Sequence, residues 1–340
     1  MKGAYAAYLG ERWWAASYAL ADRIQRDENQ GSDEDYIDLI AATSQAATAD
    51  AGNVMYSYWL AYYRWEAISR TTNPESQETL LPPEAKEVVT KIAEELAGNK
   101  LACATYGPTY ALEGQLRLHV LGERRGAELI RKGHWLAPYD PPTCFVAGEL
   151  AAREGKLEEA KHLLSRAVAL QANFYSEAIR IFLFELDRPE LARELAGNDY
   201  ARLQELAEMC ASDRRYETMA ADLRSDAEAS LRLVAARADA SASDLATLAG
   251  IDFDRGNYDS AIMLYRRALS KEYRQVRWRL NLARGLAETG HVDEAIHETR
   301  ICLRFRSNDA TARRLLEELQ KRADEKTVND EKLTEDKAKK

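Results

Sequence analysis

One pattern occurs twice between positions 107 and 174, its two copies 34 residues apart. The first copy carries Tyr110, Gly114, Gly126, Ile130, Gly133, Leu136 and Pro138. The second carries Cys144, Gly148, Ala160, Leu164, Ala167, Leu170 and Ala172. Small residues fall on small ones, and bulky apolar residues on bulky apolar ones. A fixed period of this length marks a supersecondary unit that buries its apolar face only against the next copy. The small positions are where two helices cross closely, and Ile130 and Leu164 fill the space beside them. Pro138 stops the second helix because it cannot continue one. Its counterpart Ala172 departs from the pattern, with the turn residue Asn173 beside it.

The period returns over 242–275 and 276–309. Ala249 aligns with Ala283, Gly256 with Gly290, Ala261 with Ala295 and Ala268 with Cys302. Gly256, Gly290 and, in the earlier array, Gly155 stand where a first helix must end in a left-handed residue. Between and around the arrays only helical periodicity persists. Residues 1–100 read as irregular N-terminal helical pairs: a helix over 3–27, a second capped by Ser32 and ended by Asp50 to Asn53, a third over 54–70, and a fourth with Pro83 in its first turn that stops at Gly98-Asn99. The first two are separated by a break over 27–31, and an irregular insertion over 71–83 follows the third. Residues 101–175 hold the first two repeats, and 176–240 read as degenerate helical repeats. Residues 241–322 hold two repeats and a capping helix with a polar outer face. Residues 323–340 are nearly all charged or polar and read as a disordered tail.

Composition narrows the function. Hydrophobic residues make up 46 %, enough for a continuous packed interior, and 8 Pro with 17 Gly in 340 residues favours helix. The net charge of −9 argues against a general nucleic-acid binder. Cys103, Cys144, Cys210 and Cys302 form no C-x-x-C pair, so no zinc site or disulfide framework is expected. No apolar run is long enough to span a membrane, and residues 1–21 lack the form of a signal peptide. A complete chain is thus expected in the cytoplasm; a piece of a larger envelope protein would lie in the periplasm or beside a membrane. Gly122 to Gly126 lacks the Lys-Ser or Lys-Thr of a phosphate loop. His291 and His297 are six apart and do not share a helix face. No nucleophile–base cluster is present, so the chain is read as non-catalytic, with no cofactor and no metal.

The segment 54–70 is the most aromatic stretch, with Tyr58, Trp59, Tyr62, Tyr63 and Trp65. These rings surround the helix more than one stripe requires. Two readings stand: burial between neighbouring helices, or a partner surface, since Tyr and Trp are favoured at interfaces.

The repeated residues resemble the tetratricopeptide repeat family, over 107–174 and 242–309. The resemblance implies an all-α, right-handed superhelical solenoid of antiparallel helix pairs whose concave groove binds a partner peptide or protein. It places Ala246, Thr247, Gly250, Phe253, Arg277, Leu280, Asn281, Arg284, Ala287 and Glu288 on the second array's groove, with Thr311 and Arg314 from the capping helix. Residues 260–315 hold twelve Lys or Arg against six Asp or Glu. That groove therefore suits an acidic segment or a C-terminal carboxylate, or is a solvated basic face balanced by the acidic tail. The family's carboxylate clamp is only partly met, because Ala246 and Gly250 stand where it has Lys and Asn. In the first array the groove positions are Ala111, Leu112, Gln115, Leu118, His119, Phe145, Val146, Glu149 and Arg153, a more apolar floor suited to an amphipathic helix. The arrangement is also similar to the repeat-rich soluble region of bacterial O-antigen ligase-like cell-envelope proteins, through Asn53 to Arg70 and the clear–degenerate–clear repeat order. The membrane domain that carries that family's chemistry is not in this sequence.

Overall fold

The structure, a computed structural model, describes residues 2–26, 31–71 and 82–338, with side chains described to Asp324. The expected break over 27–31 and the insertion over 71–83 fall largely outside these residues. Seventeen α-helices and no strand occur among the described residues. They group into two units, Met1–Leu195 and Ala196–Lys340.

The first unit holds α1 (Lys2–Arg26), α2 (Asp33–Ala49), α3 (Val54–Thr71), α4 (Pro83–Ala102), α5 (Gly107–Gln115), α6 (Gly126–Leu136), α7 (Pro141–Arg153), α8 (Leu157–Leu170), α9 (Tyr175–Arg180) and most of α10 (Pro189–Ala196). Each helix from α1 to α8 packs on its successor, and α5 also touches α3 and α7. That skip-one contact is the mark of stacked hairpins, in which first helices line up beside first helices. The helix expected to stop at Gly98-Asn99 runs through both residues to Ala102. A lone glycine weakens a helix by only about 1 kcal/mol, and Ile92, Ala93 and Leu96 just before it are wholly buried.

The closest crossings lie where the sequence repeats small residues. A Cβ on Gly114 would stand 2.6 Å from the Gly126 carbonyl oxygen and 2.7 Å from the Ile130 nitrogen. A Cβ on Gly133 would meet the Ala111 nitrogen at 2.6 Å. Helices α5 and α6 thus touch backbone to backbone. In α7 and α8 the approach is looser: a Cβ on Gly148 would meet the Leu164 side chain at 2.9 Å.

Two features were invisible in the pattern. Helix α5 ends in a π-turn, Leu116–Val120, and α9 in another, Ile181–Glu185. Both close alike, with Leu121 N–H on Leu116 O and Glu123 N–H on Arg117 O in one, Leu186 N–H on Ile181 O and Arg188 N–H on Phe182 O in the other. The left-handed residue is Gly122 in the first and Asp187 in the second. So α9 leads into the short α10 through the same closure that joins α5 to α6. Beneath the first π-turn lies a buried charge chain. Glu113 accepts from Arg117 Nε at 2.7 Å and from Lys100, and Arg117 also reaches Glu123 at 2.9 Å.

The second unit holds α11 (Tyr200–Ala211), α12 (Glu217–Ala236), α13 (Ala242–Asp254), α14 (Tyr258–Lys271), α15 (Val276–Glu288), α16 (Val292–Phe305) and α17 (Ala310–Ala338). Each helix packs on its successor, and α13 also touches α15. Gly256 and Gly290 take φ of 78° and 82° and close their helices with the bonds Asn257 N–H to Asp252 O and His291 N–H to Leu286 O. Asp252 is buried and held by Arg232 and by Ser260 Oγ at 2.6 Å, which ties α12, α13 and α14 together. The backbone of α17 stays helical through the segment expected to be disordered, to Ala338. Ala, Glu and Lys in this segment are strong helix formers.

Candidate partner-binding surfaces

Helix α3 carries two aromatic faces. Tyr58, Tyr62 and Trp65 follow i, i+4, i+7 and share one side. Trp59 and Tyr63 sit one position on, about 100° around the helix. Tyr63 is buried with Ile24, Tyr36 and Leu39, and Trp59 packs near Trp14 with centroids 6.2 Å apart. Those two hold α3 against α1 and α2. Tyr58, Tyr62 and Trp65 turn the other way and line a cleft of about 190 Å³ with Leu112, Phe145 and Phe174. For scale, a cavity of about 150 Å³ accepts a benzene ring.

Each wall of the cleft is fixed by packing. Tyr58 is fully buried edge-on to Tyr106, with centroids 5.7 Å apart. Phe145 of α7 stacks on Phe174 at 5.0 Å. Phe174 belongs to the short 3₁₀ turn Ala172–Phe174 that leads into α9. Burial raises the Tyr58 and Tyr62 phenols far above their usual range and pushes Tyr106 up to about 12. They remain hydroxyl donors at all ordinary pH. Glu66 stands at the cleft's rim, where burial raises its carboxyl while a Tyr36 hydrogen bond and Arg70 hold it down.

The expected apolar floor is therefore half apolar and half charged. Ala111, Leu112, Gln115, Phe145 and Val146 line the cleft. His119, Glu149 and Arg153, from the same set of groove positions, form a polar cluster instead. Arg153 donates to Glu149 at 2.7 Å and faces His119 Nδ1. Burial first, then the Arg153 charge, lowers the His119 imidazole to about 4. Burial raises Glu149 while Arg153 lowers it.

In the second unit, α15 and α17 frame a hollow of about 200 Å³ lined by Arg284, Ala310, Thr311, Arg314, Leu315 and Glu318. Asn281 donates to Tyr265 Oη at 3.1 Å, and Arg284 leans on Asn281 Oδ1 at 3.4 Å. Arg277, Arg284 and Arg314 are exposed and form no ion pair among the described residues. The structure thus brings Arg284 and Arg314 together, with Asn281 behind Arg284. Arg277 is on the same helix but outside the hollow's lining. Phe253 is elsewhere: it packs edge-on to Tyr258 at 5.3 Å, close to Gly285.

Phe174 and Glu66 escaped the sequence reading. Phe174 had one available signal, since it lies one period of 34 beyond Asp140, the N-cap of α7. Glu66 had none, because its place beside the cleft depends on α5 and α7. No metal-holding group of three or more His, Cys, Asp or Glu occurs among the described residues.

These helix pairs are tetratricopeptide-like in their repeat length, in the skip-one contacts of their first helices and in their turn glycines. No family model matches the chain, and no curated protein matches it. Some solved structures match the chain at low identity. The Cut9–Hcn1 hetero-tetramer of the APC/C matches at 17 % identity over 84 % of this chain and 52 % of that one, with a TM-score of 0.38. A thermophilic TPR protein of Thermus thermophilus matches at 14 % over 66 % of this chain and 97 % of that one, TM-score 0.37. The P58(IPK) TPR domain matches at 14 % over 94 % and 98 %, TM-score 0.32. The chain spans about half the length of the first of these.

Proposed function

We propose that the chain is a non-catalytic scaffold that seats partner protein segments against its rows of first helices. The observation that carries this reading is the aromatic cleft of the first unit. Tyr58, Tyr62, Trp65, Phe145 and Phe174 converge on it from two helices and a turn. Rigid aromatic anchors around a desolvated pocket are the usual seat of binding energy at protein interfaces. A bulky apolar side chain of an amphipathic partner helix fills the cleft. A second reading, favoured by the unpaired Arg284 and Arg314, is that the second unit holds an acidic segment or a C-terminal carboxylate through charge-assisted bonds.

One experiment separates the two. Proteins captured from native lysate are compared between wild type, Tyr62→Ala/Trp65→Ala and Arg284→Glu/Arg314→Glu. The aromatic variant is expected to lose its captured partners at unchanged helicity by circular dichroism. The arginine variant is expected to lose only acidic ones. A capture profile that neither variant changes removes both surfaces from the proposal.

A further inference from the structure

Three apolar side chains near the ends of second helices stand in solvent on the first unit, Leu101 and Trp135 at one repeat position and Leu170 one residue past the next, Ala169. Leu101 lies at the end of α4, Trp135 at the end of α6 and Leu170 at the end of α8, at steps of 34 and 35 residues. They are 92 %, 77 % and 44 % exposed, and Tyr139 in the α6–α7 turn is 71 % exposed. A single exposed apolar residue is ordinary, but several gathered at one end of neighbouring hairpins are informative. The ends of α4 and α6 come together at Tyr110, whose ring both Lys100 and Lys132 reach.

Cations stand along the same edge. Lys132 of α6 lies over the Tyr110 ring at 4.4 Å, opposite Lys100 of α4 at 5.1 Å, whose charge is already matched by Glu113. Arg166 of α8 lies over the Tyr139 ring at 4.2 Å. The acidic residue in these turns, Asp140, is engaged in capping α7 through Thr143 N–H at 3.0 Å. In a chain of net charge −9, this edge is therefore locally basic.

We infer that this edge of the first unit rests on an anionic lipid surface. Separate protruding Trp, Tyr and Leu side chains with cations between them suit a headgroup layer, which moulds to each one. A folded partner would need a matching socket for every protrusion. No described helix is long and apolar enough to cross a membrane, so the contact is made at the surface. Lys132 and Arg166 meet lipid phosphates, while Trp135 and Leu101 enter the interface.

The test is flotation of the full chain with vesicles of phosphatidylcholine alone or mixed with phosphatidylglycerol. Wild type is expected to float with the anionic vesicles and to be released by salt. Leu101→Ser/Trp135→Ser is expected to stay at the bottom with an unchanged melting curve, since both side chains are exposed. Lys132→Gln and Arg166→Gln are each expected to lower partitioning about fivefold, from about 1 kcal/mol per surface cation. Three results overturn the inference: wild type failing to float with anionic vesicles, the serine variant floating as wild type does, or equal flotation with neutral vesicles. A dimer in sedimentation that the serine variant abolishes overturns it too, because the edge is then covered by a second copy.

Discussion

His119 shows how a single groove residue couples binding-face chemistry to stability. Its ring is largely buried, its Nε2 has no partner, and the Arg153 charge faces its Nδ1. The imidazole therefore stays neutral in the fold, at about 4 against a usual 6.5. The unfolded chain binds a proton more readily, so this group's stabilisation is complete above pH 6.5 and lost as pH falls toward 4. Glu149 acts in the opposite sense, because burial makes its protonated form the favoured one. His134, also lowered by burial, adds slope that does not depend on His119. His119→Gln is expected to flatten the fall in urea midpoint between pH 7 and pH 5 relative to wild type. Parallel pH curves for the two proteins would remove His119 as the source. None of this was legible in the sequence, where His119 was one of nine groove positions. Its neighbour Arg153 lies 34 residues away, and only the fold sets the ring against it.

Helices α5 and α6, and α7 and α8, repeat one sequence pattern but not one packing distance. At Gly114 an added methyl would strike backbone at 2.6 Å, which has no room to move. At Gly148 it would meet the Leu164 side chain at 2.9 Å and the Leu164 nitrogen at 3.1 Å, so the backbones stand further apart there. Overpacking a core typically costs about 1–3 kcal/mol. Gly114→Ala is expected near the upper end and Gly148→Ala near the lower, read as shifts in denaturant midpoint at equal slope. Equal costs would mean that the two hairpins cross alike. Elements were readable where their cause is local: small residues at crossings, turn glycines, and the i, i+4, i+7 run of Tyr58, Tyr62 and Trp65. The π-turns at Leu116 and Ile181 were not readable, because one extra residue in a helical turn leaves no mark on composition or period. Nor could spacing decide which aromatic face of α3 opens to a cleft. The other wall comes from Leu112, Phe145 and Phe174, far along the chain.

Within each unit, over α1 to α9 and over α11 to α17, each helix leans mainly on its neighbours in sequence, with further contacts one helix further on at α3, α5 and α7 and at α13 and α15. Stability in such an array is a sum of hairpin terms and nearest-neighbour interfaces. Cooperativity is then limited in reach, and one unfolding free energy does not describe the chain. A defect in one hairpin raises local opening there and fades within a repeat or two. Amide hydrogen exchange measures this directly. Gly114→Ala is expected to speed exchange across α5 and α6, with a smaller rise in α4 and α7. Amides of α15 and α16, which are joined by the Gly290 turn and belong to the second unit, are expected to keep wild-type protection. Uniform acceleration across all helices would show that the chain unfolds as one cooperative body, and would set aside the additive account of its stability.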